Sequence, residues 1–208
     1  MNPMVDRVLG LIVIAGVVYW LVVITAMHFG EPEFSPLTVP MSAYVAGAYG
    51  GWMTTSFFAL ATALVATAVG ILITASGNLL AWIGCTLFIV AAFGVVLAGI
   101  FPGIICGRSS IHWHVVGSLF AFPGMAFGSL LFSFGFFSDR NWRRISVATL
   151  TLSSGVLLLL ALSFSPVTAD SSGLVQRLFF ALLIPWLVLV GVHLMRFARA
   201  DGPSTERA

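Results

Sequence analysis

Six apolar runs, each close to the length of a membrane crossing, leave this chain little else to fold: about 8–27, 52–74, 79–101, 115–136, 147–164 and 178–195. A helix needs about 20 mainly apolar residues to cross the hydrocarbon layer, because its backbone groups must all be satisfied inside the segment. With 60% of its 208 residues hydrophobic and 8% charged, the chain has too little polar side-chain surface to coat a soluble domain. The expected fold class is all-α, a polytopic integral membrane protein. It forms a single six-transmembrane-helix bundle over 1–198, followed by a disordered cytoplasmic tail over 199–208. The first run follows Arg7 as a secretory signal would. Its apolar core is too long for one and lacks a small-x-small cleavage site, so it reads as a retained span.

Charge sets the expected orientation. All nine basic residues are arginine. With the N-terminus inside, the inner segments hold Arg7, Arg140, Arg143, Arg144, Arg196, Arg199 and Arg207, and the outer loops only Arg108 and Arg177. That asymmetry puts both termini on the cytoplasmic side of the cell membrane. The turn Ser76-Gly77-Asn78 joins the second and third spans as an antiparallel pair. The net charge of +2 gives no indication of nucleic acid, and no such partner is expected.

The fourth span carries Gly117, Ala121, Gly124 and Gly128 close to one face, including one GxxxG, so a neighbouring backbone can approach closely. Packing within the chain is the simplest use of that face; a homo-oligomer or a membrane partner is the other. Pro123 and Pro185 lie inside the fourth and sixth spans and are expected to kink them, which can open a cavity. Cys85 and Cys106 fall about a membrane apart, too far for a disulfide.

Polar groups in or beside the membrane are costly, which makes their placement informative. They collect on the outer side: His28, Glu31, Glu33, Ser42, Tyr44 and Tyr49 between the first two spans, Arg108, His112 and His114 before the fourth, and Asp170, Gln176 and Arg177 before the sixth. In SSGLVQRLFF, Ser171 or Ser172 can cap a helix, which buries Arg177 about a turn deep, where it must snorkel or meet an acid. Glu31, Glu33 and Asp170 are the candidate partners, and an anionic headgroup is the alternative. His112 and His114, two apart, point to different helix faces and do not chelate one metal together. His114 alone can face the bundle as acid, base or hydrogen-bond donor, or simply bond to a carbonyl or tyrosine. No spacing supports a zinc site on His28 and His114. Trp52 and Tyr49 fit an aromatic belt, and Trp142, beside Arg143 and Arg144, reads as its inner counterpart.

No GxSxG, HExxH or P-loop is present, nor are the aspartate-rich boxes of soluble prenyl-chain enzymes. No acid lies mid-span, which argues against an ion-driven transporter. Neither a metal nor a cofactor is expected.

Three stretches, PMSAYVAGAYGGWMTTSFF, GVVLAGIFPG followed by IHWHVVGSLFAF, and GLVQRLFF, together resemble the membrane family catalogued as domain of unknown function 998. The resemblance runs from about residue 28 to 195. It implies a six-helix bundle loosely similar to lipid-remodelling and autophagy-modulator membrane proteins, and it implies no reaction. Its motif positions are Ser42, Tyr44, Trp52, His114, Gln176 and Arg177. Ala43 stands where family members often carry an acid.

Three functions are therefore weighed. The first is a pocket open to the outer leaflet, lined by Ser42, Tyr44, Tyr49, Trp52, His114, Gln176 and Arg177, that binds membrane lipids or a lipophilic, isoprenoid-like small molecule. The second is a small membrane cyclase or hydrolase whose candidate catalytic residues are Glu31, Glu33 and His114. A protonated acid or a histidine would start its reaction, and a glutamate pushed into the apolar pocket is the feature that would decide for it. The third is an accessory subunit docking through the fourth span.

Overall fold

The computed structural model describes the backbone of residues 3–75, 79–101 and 108–200 and the side chains of 3–75, 79–101 and 112–196. The Ser76-Gly77-Asn78 turn, Cys106, the side chains of Arg108 and Arg199, and the tail beyond residue 200 lie outside them. The described residues form six α-helices, joined in part by short 3-10 turns: α1 (Pro3–Gly30), α2 (Gly50–Thr74), α3 (Leu79–Ile100), α4 (Arg108–Ser138), α5 (Ser146–Leu162) and α6 (Ser172–Ala200). Five of them, and α5 together with the 3-10 turn Arg143–Ile145 that leads into it, are long and apolar enough to cross a membrane, and the chain is a multi-pass membrane protein. The helices overrun most of the apolar runs because hydropathy marks what the hydrocarbon requires. Helical hydrogen bonding continues past it into polar ends.

Each helix packs on its neighbours in sequence, α1 closes the ring against α6, and α2 reaches α6 across the middle. With no hydrophobic drive between helices in lipid, close backbone approach decides which faces meet. The small-residue face of α4 meets α3. A Cβ at Gly117 would fall 2.7 Å from the Gly94 carbonyl oxygen and 2.8 Å from Ala98 N. One at Gly124 would fall 2.7 Å from the Leu87 carbonyl oxygen. The face is therefore covered from within the chain, and a partner helix would need another one.

At the arginine-rich end the bundle is filled by rings. Trp142 is buried, stacked on Phe136 at 4.5 Å, and continues toward Phe132 and Trp186. The expected inner-surface anchor is thus a core residue, since the Asp139–Trp142 turn folds its indole back under the helices. Buried polar groups in this core satisfy one another. Trp186 Nε1 donates to Ser133 Oγ at 3.0 Å, and Ser153 Oγ lies 3.3 Å from the same oxygen, which ties α6 and α5 to α4. His193 at this end bonds the Asn141 carbonyl at 2.8 Å.

One length mismatch shapes the opposite end. α5 has 17 residues against 31 in α4 and 29 in α6. At roughly 1.5 Å per residue it spans about 25 Å, less than the ~30 Å hydrocarbon layer. It stops short of its two neighbours at the end where the long α1–α2 loop sits.

Candidate functional site

The α1–α2 loop is held over its end of the bundle by two side chains from α6. Gln176 Oε1 accepts the Met41 N–H at 2.5 Å. Arg177 donates through Nη1 to the Val39 carbonyl at 2.9 Å and to the Gly173 carbonyl at 3.0 Å, and through Nε to His28 Nε2 at 2.9 Å. Tyr44 Oη lies 3.4 Å from Nη2. Arg177 therefore neither snorkels nor meets an acid. Glu33 and Asp170 are exposed, and Glu31 is turned elsewhere. The arginine pins the loop through carbonyls and an imidazole instead of the expected acid, because the loop presents its backbone to α6 and not its carboxylates. The two serines expected as caps also bond elsewhere. Ser172 Oγ donates to the Thr38 carbonyl at 3.0 Å, a further tie to the loop, and Ser171 Oγ to the Thr168 carbonyl at 3.3 Å.

Glu31 is 1% exposed. Its Oε1 accepts the Tyr49 N–H at 2.7 Å, and its Oε2 has no hydrogen-bond partner among the described residues. The carboxylate occupies the space a side chain at Gly47 would need, so it braces the loop from beneath. Gly47→Ala is expected to cost roughly 1–3 kcal/mol by overpacking. In a double-mutant cycle with Glu31→Ala the two losses should fall well short of additive. Additive losses in thermal melts would sink this account.

Between α4, α5 and α6, where α5 stops, lies a cleft of about 280 Å³. Ser42, His114, Ser118, Phe122, Ser163 and Gln176 line it, with Leu119 and Phe164 at its outer wall. Leu119 and Phe164 are exposed, so the cleft opens at the flank of the helix bundle. Its deep end runs into a smaller cavity of about 20 Å³, shared at Ser42, Ser118, Phe122 and Gln176. Trp20 also lines that inner space, and its buried Nε1 has no hydrogen-bond partner among the described residues. Among the described residues, no charged side chain lines either space.

His114 is fixed from both sides. Its Nδ1 lies 2.9 Å from the Phe101 carbonyl and 3.2 Å from that of Ala98, both at the end of α3. Carbonyls only accept, so the proton resides on Nδ1, and Nε2 presents its lone pair. The Ser42 hydroxyl lies 3.2 Å from Nε2 and donates to it. The Met41 N–H likewise fixes the Gln176 amide with Oε1 toward the loop, which leaves its NH₂ group uncommitted among the described residues.

The residues expected to form one site divide into several. Ser42, His114 and Gln176 share the cleft. Arg177 and His28 border a separate groove of about 330 Å³ between α1 and α6, and Tyr44 is wholly buried between them. Tyr49 and Trp52 are exposed beside a shallow depression of their own. Neither glutamate lines the cleft: Glu33 is exposed, and Glu31 is buried beneath the loop. His112 is exposed and points away from His114, as the spacing predicted. Pro123 and Pro185 each border a cavity. The contribution of α5, Leu160, Ser163 and Phe164, was not foreseen. On α4, His114, Ser118 and Phe122 recur at four-residue steps along one helix face, a signal that was readable.

No curated protein and no solved structure matches the chain. A family model described as "Protein of unknown function (DUF998)" matches residues 13–193. That range takes in the loop, the His114 region and the Gln176–Arg177 pair. With the match running from the first helix into the last, the chain belongs to the DUF998 family of proteins of unknown function.

Proposed function

We infer that the cleft between α4, α5 and α6 binds an amphiphile with an uncharged, hydrogen-bonding head and a lipophilic tail. The observation carrying this reading is the pairing of a lateral opening, walled by exposed Leu119 and Phe164, with a lining that includes the polar side chains of Ser42, His114 and Gln176. A volume of about 280 Å³ lies near the lower end of small-molecule sites, roughly 300–1,000 Å³. It suits part of a lipid or isoprenoid, with the rest of the tail left in the bilayer. Ser42 and the free Gln176 NH₂ supply the head with hydrogen bonds, and the apolar wall formed by Phe122 and Leu160 takes the chain. A lining without a charged side chain among the described residues favours an ester, alcohol or amide head over a phosphate. By the positive-inside asymmetry the site faces the outer leaflet of the cell membrane.

Ser118→Trp tests this reading, because it places an indole where the cleft and its inner extension meet. Protein purified in mild detergent should release a bound amphiphile on organic extraction and mass spectrometry. Ser118→Trp should retain roughly tenfold less, equivalent to about 1.4 kcal/mol of lost binding free energy. Equal occupancy in a folded Ser118→Trp protein would overturn the reading.

A further inference from the structure

We propose that Ser42 and His114 are a nucleophile–base pair that cleaves a carboxylic ester of the amphiphile held in the cleft, with the Gln176 amide as oxyanion donor. The proposal rests on the binding reading above and adds a reaction to it.

The argument begins with the tautomer. A general base beside a serine needs its Nε2 lone pair directed at the hydroxyl, and a group on Nδ1–H to hold the ring that way. Here the carbonyls of Phe101 and Ala98 do the holding, at 2.9 and 3.2 Å, and Ser42 Oγ stands 3.2 Å from Nε2. Main-chain carbonyls at the end of a rigid helix orient an imidazole as a carboxylate does, without placing a charge in the membrane. The bland alternative is a histidine that merely ties the loop to α3. Three features set this pair apart from such a tie. Both partners line a cleft that a lipophilic substrate can enter, and Ser42 has no other hydrogen bond among the described residues. The third feature is Gln176. Its Oε1 is taken by Met41 N–H, so its two N–H donors are left for an oxygen bound in the cleft.

The chemistry closes with water as the only co-reactant. Ser42 Oγ attacks the ester carbonyl carbon while its proton passes to His114 Nε2. The oxygen that becomes negative is stabilised by the Gln176 NH₂. The carbon–oxygen bond to the alcohol breaks, and His114 returns the proton to the departing oxygen, leaving acyl-Ser42. Water then attacks the acyl carbon and gives a proton to His114. Collapse of that second adduct releases the carboxylic acid, and the proton restores the Ser42 hydroxyl.

The test uses a long-chain alkyl fluorophosphonate on the purified full-length protein in detergent. Attack by Ser42 forms a phosphorus–oxygen bond and expels fluoride, which leaves a stable adduct visible in the intact mass and mapped by peptide analysis. Wild type should gain one adduct, on Ser42, and should hydrolyse a p-nitrophenyl acyl ester. Ser42→Ala should show neither. His114→Gln should react roughly 10²–10⁴-fold more slowly, the usual worth of a positioned base. Gln176→Glu keeps an acceptor for Met41 N–H but removes the donor, and should slow acylation by about 10²-fold. Ser42→Ala removes a single oxygen, and an unchanged melting temperature would show that the variant is folded. Wild type that retains amphiphile but takes no label, or label that persists in Ser42→Ala, overturns the dyad and leaves the binding reading intact. Labelling of Ser42 without any retained amphiphile supports the dyad while removing the independent support for binding.

Discussion

Gly117→Leu is expected to lower the melting temperature of the detergent-solubilised protein by roughly 6–12 °C. The reason is reciprocal contact. Gly117 packs on the Gly94 carbonyl and Ala98 N, and a side chain on either glycine would meet the backbone of the other helix. Backbone cannot rotate away as a flexible side chain can, so the cost belongs at the upper end of the overpacking range, about 3 kcal/mol. For a chain of this size each kcal/mol moves the midpoint by roughly 2–4 °C. The same change reaches the candidate site. The Ala98 backbone packs against Gly117 and its carbonyl lies against His114 Nδ1, so spreading α3 from α4 withdraws an anchor of the imidazole. Amphiphile retention and fluorophosphonate labelling should both decline in Gly117→Leu, and Gly117→Ala should fall between. An unchanged melting temperature would mean that α3 and α4 do not meet through these glycines.

Arg177→Met is expected to free the α1–α2 loop. The guanidinium satisfies the Val39 carbonyl and His28 Nε2 in addition to its contact with Tyr44, and methionine fills the space but leaves those acceptors without a donor. Hydrogen bonds to a charged group are worth about 1.5–3 kcal/mol each, so a loss of about 3 kcal/mol is expected. It should be accompanied by faster proteolysis within residues 31–49. Arg177→Lys should recover little, because one ammonium cannot serve partners that a planar fork reaches in several directions. The measurement also separates two roles for this residue. A loss seen equally in lipid-free detergent is the loss of the internal tie. A loss appearing only when anionic phospholipid is added would instead mark Arg177 as a headgroup site and sink this account.

Most of the bundle was readable before any coordinates. The six apolar runs give six helices because a bilayer admits few other solutions for a chain of this composition. The four-residue steps of α4 correctly put glycine and alanine on one face. The turning of His112 and His114 to opposite sides followed from helical geometry alone. The partners of the polar residues were harder to read. Arg177 suggested an acid because sequence shows charges and hides carbonyls, and the groups that hold it are mainly backbone oxygen and a neutral histidine. Glu31 looked like an acid for catalysis because nothing local indicated that Gly47 leaves it a niche beneath the loop. Trp142 looked like a surface anchor from its arginine neighbours, since a fold-back of its turn leaves no mark in composition.

The sequence by itself determined the solvent this protein occupies, the number and approximate limits of its spans, the clustering of its polar groups at one end, and its family. Those follow from local rules, namely apolar length, helical period and the cost of charge in hydrocarbon. Only the tertiary structure decided that Ser42, His114 and Gln176 face one cleft while Arg177 and Tyr44 serve another purpose a few residues away. The cleft exists because α5 is shorter than α4 and α6 at the end where the loop lies. That depends on how three helices and a loop meet in space, which no single segment encodes.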